Sequence, residues 1–147
     1  MSSRFTVDNL LINNDMTTLG EVKGTKHSLI FSQDSLPNAT GAFTFGDCGG
    51  IRIDMIRPGS ITGIGINFNI DVLDGTGLAI YIEVNGTRVW DNRITHSGVG
   101  DNQVYSNTQA RNTDTFAAGD YIKITYQQRR SQIASDAIGN LEIIFDE

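Results

Sequence analysis

A strict alternation of side-chain types in the middle of the chain constrains the fold more than any other feature. Every second position from 62 to 72 is Thr or a large apolar residue, and the positions between are small or polar. The first set is Thr62, Ile64, Ile66, Phe68, Ile70 and Val72, and the second is Gly63, Gly65, Asn67, Asn69 and Asp71. Because successive side chains of a β-strand point to opposite faces, this pattern predicts a strand with one buried face.

The same period of two recurs along the rest of the chain, and turn sequences separate the repeats. The further apolar stripes are Ile51-Ile53-Met55, Leu78-Ile80-Ile82-Val84, Ile122-Ile124-Tyr126 and Leu141-Ile143-Phe145. Asn85-Gly86 is a dipeptide that favours a tight hairpin. Ile, Val and Thr contribute 39 residues, whereas Ala, Leu, Glu and Lys contribute only 23, which argues against a helical bundle. We expect an all-β protein, an antiparallel jelly-roll β-sandwich of about eight strands.

The chain of 147 residues has the length of one domain, and we divide it into two parts. Residues 1–26 show no sustained alternation and are interpreted as an extended N-terminal arm, and residues 27–147 as the jelly-roll domain. Within the domain, the polar segment 93–113 and the segment 129–139 are interpreted as loops.

The faces opposite the core stripes carry several apolar or aromatic residues and a threonine. They are Ile61, Ala79, Tyr81, Tyr121, Thr125 and Ile144. A strand that is apolar on both faces needs a partner outside its own small domain, and self-association is the simplest source. Ile61, Tyr81, Tyr121 and Ile144 are therefore predicted to form an oligomer interface. Scattered surface apolar residues are the alternative interpretation.

Charge and targeting signals restrict the partners. The net charge is −6, and Arg129-Arg130 is the main basic cluster, so binding to nucleic acid is disfavoured. We find no apolar run of the length of a signal peptide or a membrane span, so no membrane association is expected. A single cysteine cannot form an internal disulfide, which is typical of a protein made in a reducing cytoplasm.

The residues that could carry chemistry do not form a catalytic pattern. Gly46-Asp47-Cys48-Gly49-Gly50 resembles the nucleophile loop of viral chymotrypsin-like cysteine proteases, with His27 or His96 as a possible base. Too little chain precedes Cys48 for that fold, however, so a glycine-rich turn is the favoured interpretation. The histidines and the cysteine lack zinc-ligand spacing, and a calcium site at Asp71, Asp74, Asp101 or Asp114 stays an alternative without a recognisable motif. We expect no enzymatic activity, no metal and no cofactor.

Several short motifs together resemble a known group of proteins. They are Pro58-Gly59-Ser60-Ile61-Thr62-Gly63, Val84-Asn85-Gly86, Phe116-Ala117-Ala118-Gly119-Asp120-Tyr121-Ile122 and Asn140-Leu141-Glu142-Ile143. Over residues 42–147 the chain resembles the jelly-roll modules of tailed-bacteriophage virion proteins, which share the architecture of the trimeric tumour-necrosis-factor and complement heads. The resemblance implies a homotrimer in which one sheet packs around a three-fold axis.

Two roles within that group are open. A capsid decoration, or cement, protein would bind the major capsid protein on the outside of the virion, after synthesis in the host cytoplasm. Its arm would supply the anchors Phe5, Leu10, Leu11 and Ile12. The alternative is a tail-fibre tip or head-fibre adhesin that binds a host receptor through the 93–113 segment. The short arm and the lack of a shaft sequence favour the decoration role.

Overall fold

The computed structural model describes residues 26–37, 39–46, 49–72, 77–95, 99–128 and 133–146. Within these residues the chain forms eleven β-strands and no helix. The strands are β1 (Lys26–Leu36), β2 (Thr40–Ala42), β3 (Thr44–Phe45), β4 (Ile53–Asp54), β5 (Gly59–Val72), β6 (Leu78–Val84), β7 (Thr87–Ile94), β8 (Gly100–Thr108), β9 (Asp114–Phe116), β10 (Tyr121–Gln128) and β11 (Ile133–Phe145). The predicted arm lies outside the described residues except for Lys26, which begins β1.

The strands form two antiparallel sheets, which we call sheet A and sheet B. Sheet A has the order β3-β1-β11-β5-β8, and β9 also pairs with β5. Sheet B has the order β2-β10-β6-β7, and β4 also pairs with β10. The chain crosses repeatedly from one sheet to the other, and its first and last long strands are neighbours in sheet A. This arrangement confirms the predicted all-β antiparallel sandwich of jelly-roll type.

The core lies between the two sheets and is formed by most members of the predicted stripes, whereas Ile51 is 50% exposed and lies outside it. Ile64, Ile66, Phe68 and Ile70 of β5 face Ile80 and Ile82 of β6 and Ile122 and Ile124 of β10 in one buried cluster. Phe31 and Phe43 join it and pack edge to face, with ring centroids 5.0 Å apart. Each such side chain contributes roughly 1.5–3 kcal/mol when it is fully buried.

A β-bulge at Thr62 corrects the prediction for Ile61. Gly63 pairs with Glu142 and Ile61 pairs with Ile143, so Thr62 is an extra residue in β5. An extra residue shifts the alternation by one position. The Ile61 side chain therefore lies on the same side of sheet A as that of Ile64, in the core, and is completely buried. The Thr62 hydroxyl donates to the Glu142 carboxylate at 2.8 Å, which holds the bulge.

Two segments that were interpreted as loops contain strands. The 93–113 segment includes β8, an edge strand of sheet A that pairs with β5. Its sequence lacks a continuous apolar stripe. An edge strand is held by backbone hydrogen bonds to one neighbour and buries fewer side chains in the core than a central strand does. The 129–139 segment includes the first half of β11, which begins at Ile133. A bulge near Asp136, which has a φ of 50°, interrupts its alternation.

Replacement of Ile61 tests the bulge. Ile61→Ala removes a fully buried side chain and should lower the free energy of unfolding by about 2–5 kcal/mol. The matched control is Ile56→Ala, because Ile56 is 79% exposed and its loss should cost less than about 0.5 kcal/mol. Urea unfolding followed by circular dichroism measures both values, and equal costs for the two variants would contradict the placement of Ile61.

Candidate functional site

The outer face of sheet A carries an apolar groove across four neighbouring strands, β1, β11, β5 and the edge strand β8. Residues that pair across neighbouring strands share a face, so the pairing defines rows of outward side chains. One row contains Ser32, Ile138, Asn67 and Val104, and the next contains Ile30, Asn140, Gly65 and Ser106. We call these two rows the sheet A groove. The depression over them has a volume of about 430 Å³.

Three aliphatic side chains of the groove are exposed. Ile30 is 52% exposed, Val104 is 75% exposed and Ile138 is 56% exposed. They come from three different strands and surround Gly65, the outward residue of β5 in the second row, where the side-chain oxygen of the neighbouring Asn140 lies. Gly63 is the outward residue of β5 in the following row. Exposed aliphatic residues grouped on one face mark an interaction surface more often than scattered ones do.

The groove contains no charged residue in either of its two rows. The next row towards the N-terminal end of β1 contains Glu142, and Lys26 lies beside it with its ammonium 2.9 Å from the carboxylate. Burial raises the pKa of the Glu142 carboxyl. Hydrogen bonds from Lys26 and Thr62, with the positive charge of Lys26, outweigh that effect and hold the pKa below its usual value. The two charges therefore neutralise each other beside the groove.

On the other side of the groove the exposed Asp136 accepts a hydrogen bond from Asn69 at 3.0 Å, and the outer face of sheet B carries many charges. Its outward positions on β6, β7 and β10 include Glu83, Arg88, Asp91, Arg93 and Lys123. Glu83 is an example of their local pairing, since it accepts a hydrogen bond from Thr125 at 3.0 Å and lies 3.9 Å from Arg88. A sheet face with alternating charges of both signs is typical of a solvated surface.

The structure does not bring the four predicted interface residues together. Ile61 is in the core, and Ile144 lies on the outer side of sheet A and is 7% exposed. Tyr81 and Tyr121 lie on the outer side of sheet B. One flat interface cannot include residues from opposite sides of the sandwich. A role for Tyr81, Tyr121 or Ile144 in an interface stays a prediction, whereas Ile61 offers no surface to a partner.

Arginine side chains explain how sheet B carries outward tyrosines within one chain. The Arg88 guanidinium lies 3.6 Å from the centroid of the Tyr81 ring, and the Tyr81 hydroxyl donates to Gln127 at 3.0 Å. Arg52 lies 4.9 Å from the centroid of Tyr121. Such contacts cover the ring face and contribute about 0.5–1 kcal/mol at exposed sites. An aromatic residue opposite a core stripe therefore needs no second chain here.

Sequence reasoning missed the residues that form the groove. Val104 and Ile138 lie in the segments that were interpreted as loops, so no face was assigned to them. Gly63 and Gly65 were visible as part of the alternation, but only the pairing of β5 with β11 places the side chains of Glu142 and Asn140 beside them. A search for paired small residues on the polar face of the strongest strand would have pointed to this surface.

A polar cluster joins the edge strands of the two sheets. Asn92 of β7 is buried, and its side-chain oxygen accepts hydrogen bonds from the Tyr105 hydroxyl and the Asn107 amide of β8, both at 3.0 Å. Its own amide nitrogen has no partner among the described residues. All three side chains are uncharged, so the cluster closes one side of the sandwich and offers no acid or base.

Only some of the candidate residues for catalysis and metal binding lie in the part of the chain that the structure describes. Cys48, His96, Asp74 and Arg129-Arg130 lie outside the described residues. His27 lies beside Phe145, with ring centroids 5.2 Å apart. Among the described residues, no three His, Cys, Asp or Glu side chains are grouped closely enough to hold a metal ion. No helix in the described part of the chain has the length and hydrophobicity for crossing a membrane.

Two motifs of the phage-module resemblance meet at one end of sheet B. Asn85 and Gly86 form the hairpin turn with φ values of 52° and 79°, which confirms the predicted tight turn. The Asn85 side-chain amide donates to Asp120 at 2.7 Å, and its oxygen accepts from the Tyr121 backbone amide at 3.0 Å. Asp120 also accepts from the Ala117 backbone amide at 2.7 Å. The Gly119-Asp120 turn thus positions the start of β10 against the β6–β7 hairpin.

These hydrogen bonds affect the acidity of Asp120. The Ala117 amide and then the Asn85 amide stabilise the carboxylate, and both lower the pKa of Asp120 from its ordinary value.

Comparisons with known proteins were made for both the sequence and the fold, and solved structures among the matches include the two described below. No protein-family model matches the chain, and no curated protein matches its sequence. Dimeric latent PorU from Porphyromonas gingivalis superposes with a TM-score of 0.47 at 8% identity, over 84% of this chain and 13% of that chain. The infectious bursal disease virus Gx strain structure gives a TM-score of 0.35 at 16% identity, over 84% of this chain and 30% of that chain. The chain spans less than a third of the length of either structure.

The lowered pKa of Asp120 predicts an acid-sensitive contribution to stability. A carboxylate with a depressed folded pKa stabilises the protein above its unfolded pKa of about 3.9, and the effect is lost as the pH falls through the folded value. Asp120→Ala should therefore lower the thermal midpoint at pH 7, and the difference from the unsubstituted protein should shrink towards pH 2.5. Asp91→Ala, at an exposed position of β7, is the control. A difference that is the same at both pH values would exclude this role of Asp120.

Proposed function

We propose that this protein is a non-enzymatic structural protein of a bacteriophage virion, of the capsid decoration or cement type. The observation that carries the proposal is the sheet A groove, an uncharged surface with three exposed aliphatic side chains on an otherwise acidic chain. Such a surface suits association with other proteins. The phage-module resemblance over residues 42–147 supports the choice of a virion as the assembly.

A decoration protein would stabilise a capsid by adding contacts between neighbouring subunits. A homotrimer presents three copies of each contact, and linked weak contacts give a strong total affinity. The arm with Phe5, Leu10, Leu11 and Ile12 would bind the major capsid protein, each side chain contributing roughly 1.5–3 kcal/mol if fully buried. The net charge of −6 would limit aggregation of decorated particles on the capsid exterior.

Substitution within the arm tests this function. The full-length variant with Leu10, Leu11 and Ile12 all changed to Asp should no longer co-sediment with undecorated capsids, because three apolar anchors per subunit are lost. The matched control changes Asn13 and Asn14 to Ser and should bind like the unsubstituted protein. Circular dichroism and thermal unfolding confirm that both variants are folded.

Undiminished capsid binding by the triple variant would reject the arm as the capsid anchor. Failure of the unsubstituted protein to bind any capsid, together with binding to host cells that depends on residues 93–113, would favour the adhesin alternative.

A further inference from the structure

The edge of sheet A is only partly paired near the start of β1. β11 pairs with β1 along most of its length, whereas β3 pairs on the other side with Phe31 and Ser32 alone. Among the described residues, no strand pairs with residues 26–30 on that side. We call residues 26–30 the β1 edge. Unpaired backbone groups at the edge of a sheet are a template for a further strand.

The contacts with β3 show which backbone groups of the β1 edge point outward. The Thr44 hydroxyl donates to the Ser32 carbonyl at 3.1 Å, so the Ser32 backbone faces β3. Backbone groups of successive strand residues alternate between the two sides, and β1 pairs with β11 without a register shift here. The N–H and C=O groups of Ser28 and Ile30 therefore point away from β11, where an extended polypeptide can bond to them.

A cavity opens on the core side of the β1 edge, between the two sheets. Its volume is about 350 Å³. Its apolar lining is Leu29, Ile53, Met55, Ile56, Ile143 and Phe145. Leu29, Ile53 and Phe145 are only partly buried, so the core is incompletely covered at this end. Asp54 also lines the cavity, and its carboxylate is 3.5 Å from Arg52. We call this space the end cavity.

The end cavity sets a spacing for the residues that can fill it. His27 and Leu29 lie on the core side of β1, because their partners Ile143 and Leu141 belong to the core. A strand added to the β1 edge would present the side chains opposite His27 and Leu29 to the same side. The site therefore fits two large apolar side chains separated by one residue.

The chain carries such a pair upstream of β1. Residues 9–14 are Asn-Leu-Leu-Ile-Asn-Asn, with neither a charge nor a proline. Leu10 and Ile12 have the required separation, and Leu11 between them would lie opposite Ser28. Every residue of this segment can donate a backbone hydrogen bond, which a strand in a ladder requires.

The entry point of the chain favours its own segment over that of a second copy. The chain enters β1 at Lys26, which is one end of the β1 edge. An antiparallel strand with Leu11 opposite Ser28 places Asn13 opposite Lys26, and residues 14–25 then connect two neighbouring positions. Closing a loop of this length within one chain costs little, and it gives the segment a high effective concentration at the edge.

Phe5 and Val7 have the same separation but less suitable neighbours. If they faced the end cavity in the same direction, Arg4 would lie opposite the exposed Ile30. Phe5 and Val7 therefore serve as the matched control pair.

We propose that residues 9–14 add to the β1 edge as an antiparallel strand of sheet A, with Leu10 and Ile12 in the end cavity and Leu11 paired with Ser28. The contact covers both the open end of the core and the unpaired edge. The inference goes beyond the proposed function, because it concerns the free protein. A capsid that binds the same side chains would have to displace them from the β1 edge.

Amide hydrogen exchange of the full-length protein, resolved by NMR, tests the pairing. The Ser28 and Leu11 amides should exchange at least about tenfold more slowly than unpaired amides. The double variant Leu10→Asp with Ile12→Asp should remove this protection, because an apolar cavity disfavours carboxylates. The control Phe5→Asp with Val7→Asp should retain it.

Ser28→Pro tests the same contact from the side of β1. Proline removes the outward N–H of Ser28 and leaves the bonds to β11, since that N–H points away from β11. The Leu11 amide should lose its protection in this variant and keep it in Ser28→Ala. Protected amides in β11 show that sheet A is intact in both variants.

Unprotected Ser28 and Leu11 amides in the unsubstituted protein would overturn the inference, and so would protection that survives the Leu10 and Ile12 substitutions. Protection that increases with protein concentration would reject the contact within one chain and assign the segment to a second copy.

Capsid co-sedimentation separates this inference from the proposed function. If both hold, Ser28→Pro should bind capsids at least as tightly as the unsubstituted protein, because the segment is already released. Amide protection in a protein that never binds capsids would support the inference and reject the decoration function. Capsid binding without amide protection would do the reverse.

Discussion

The burial of two facing aliphatic surfaces between the sheets is the interaction on which the other features of the molecule depend. It fixes the register of β5 against β11 and of β6 against β10, because a slip by one residue would turn every buried side chain outward. The register in turn sets which residues share the outer rows. The sheet A groove is thus a consequence of core packing, since its members are the residues that the core leaves outside.

The bulge at Thr62 shows how one extra residue shifts the alternation of buried and outward side chains locally. β5 has 14 residues and must keep its apolar face inward at both ends. The extra residue lets Ile61 and Ile64 both reach the core although their separation is odd. At the bulge the Thr62 hydroxyl donates a hydrogen bond to the Glu142 carboxylate, and Lys26 forms an ion pair with the same carboxylate. The ion pair at the border of the groove therefore also stabilises the bulge.

The two outer faces differ in how their outward apolar and aromatic side chains are covered. Sheet B covers its outward tyrosines with arginines from the same chain and surrounds them with charges of both signs. Sheet A leaves three aliphatic residues from three different strands exposed. The first arrangement is complete within one chain. The second exposes apolar area to water, which makes association with another protein favourable.

The sequence by itself determined the all-β class, the main buried stripes and the Asn85-Gly86 turn, because alternation and turn propensity are local properties of the chain. It could not determine the side to which Ile61 points, since a bulge depends on the partner strand β11. It also could not reveal β8, whose polar residues become a strand only when the backbone of β5 pairs with them. The groove was decided by tertiary structure alone. Ile30, Val104 and Ile138 are far apart in sequence, and only the order of strands in sheet A makes them neighbours around Gly65.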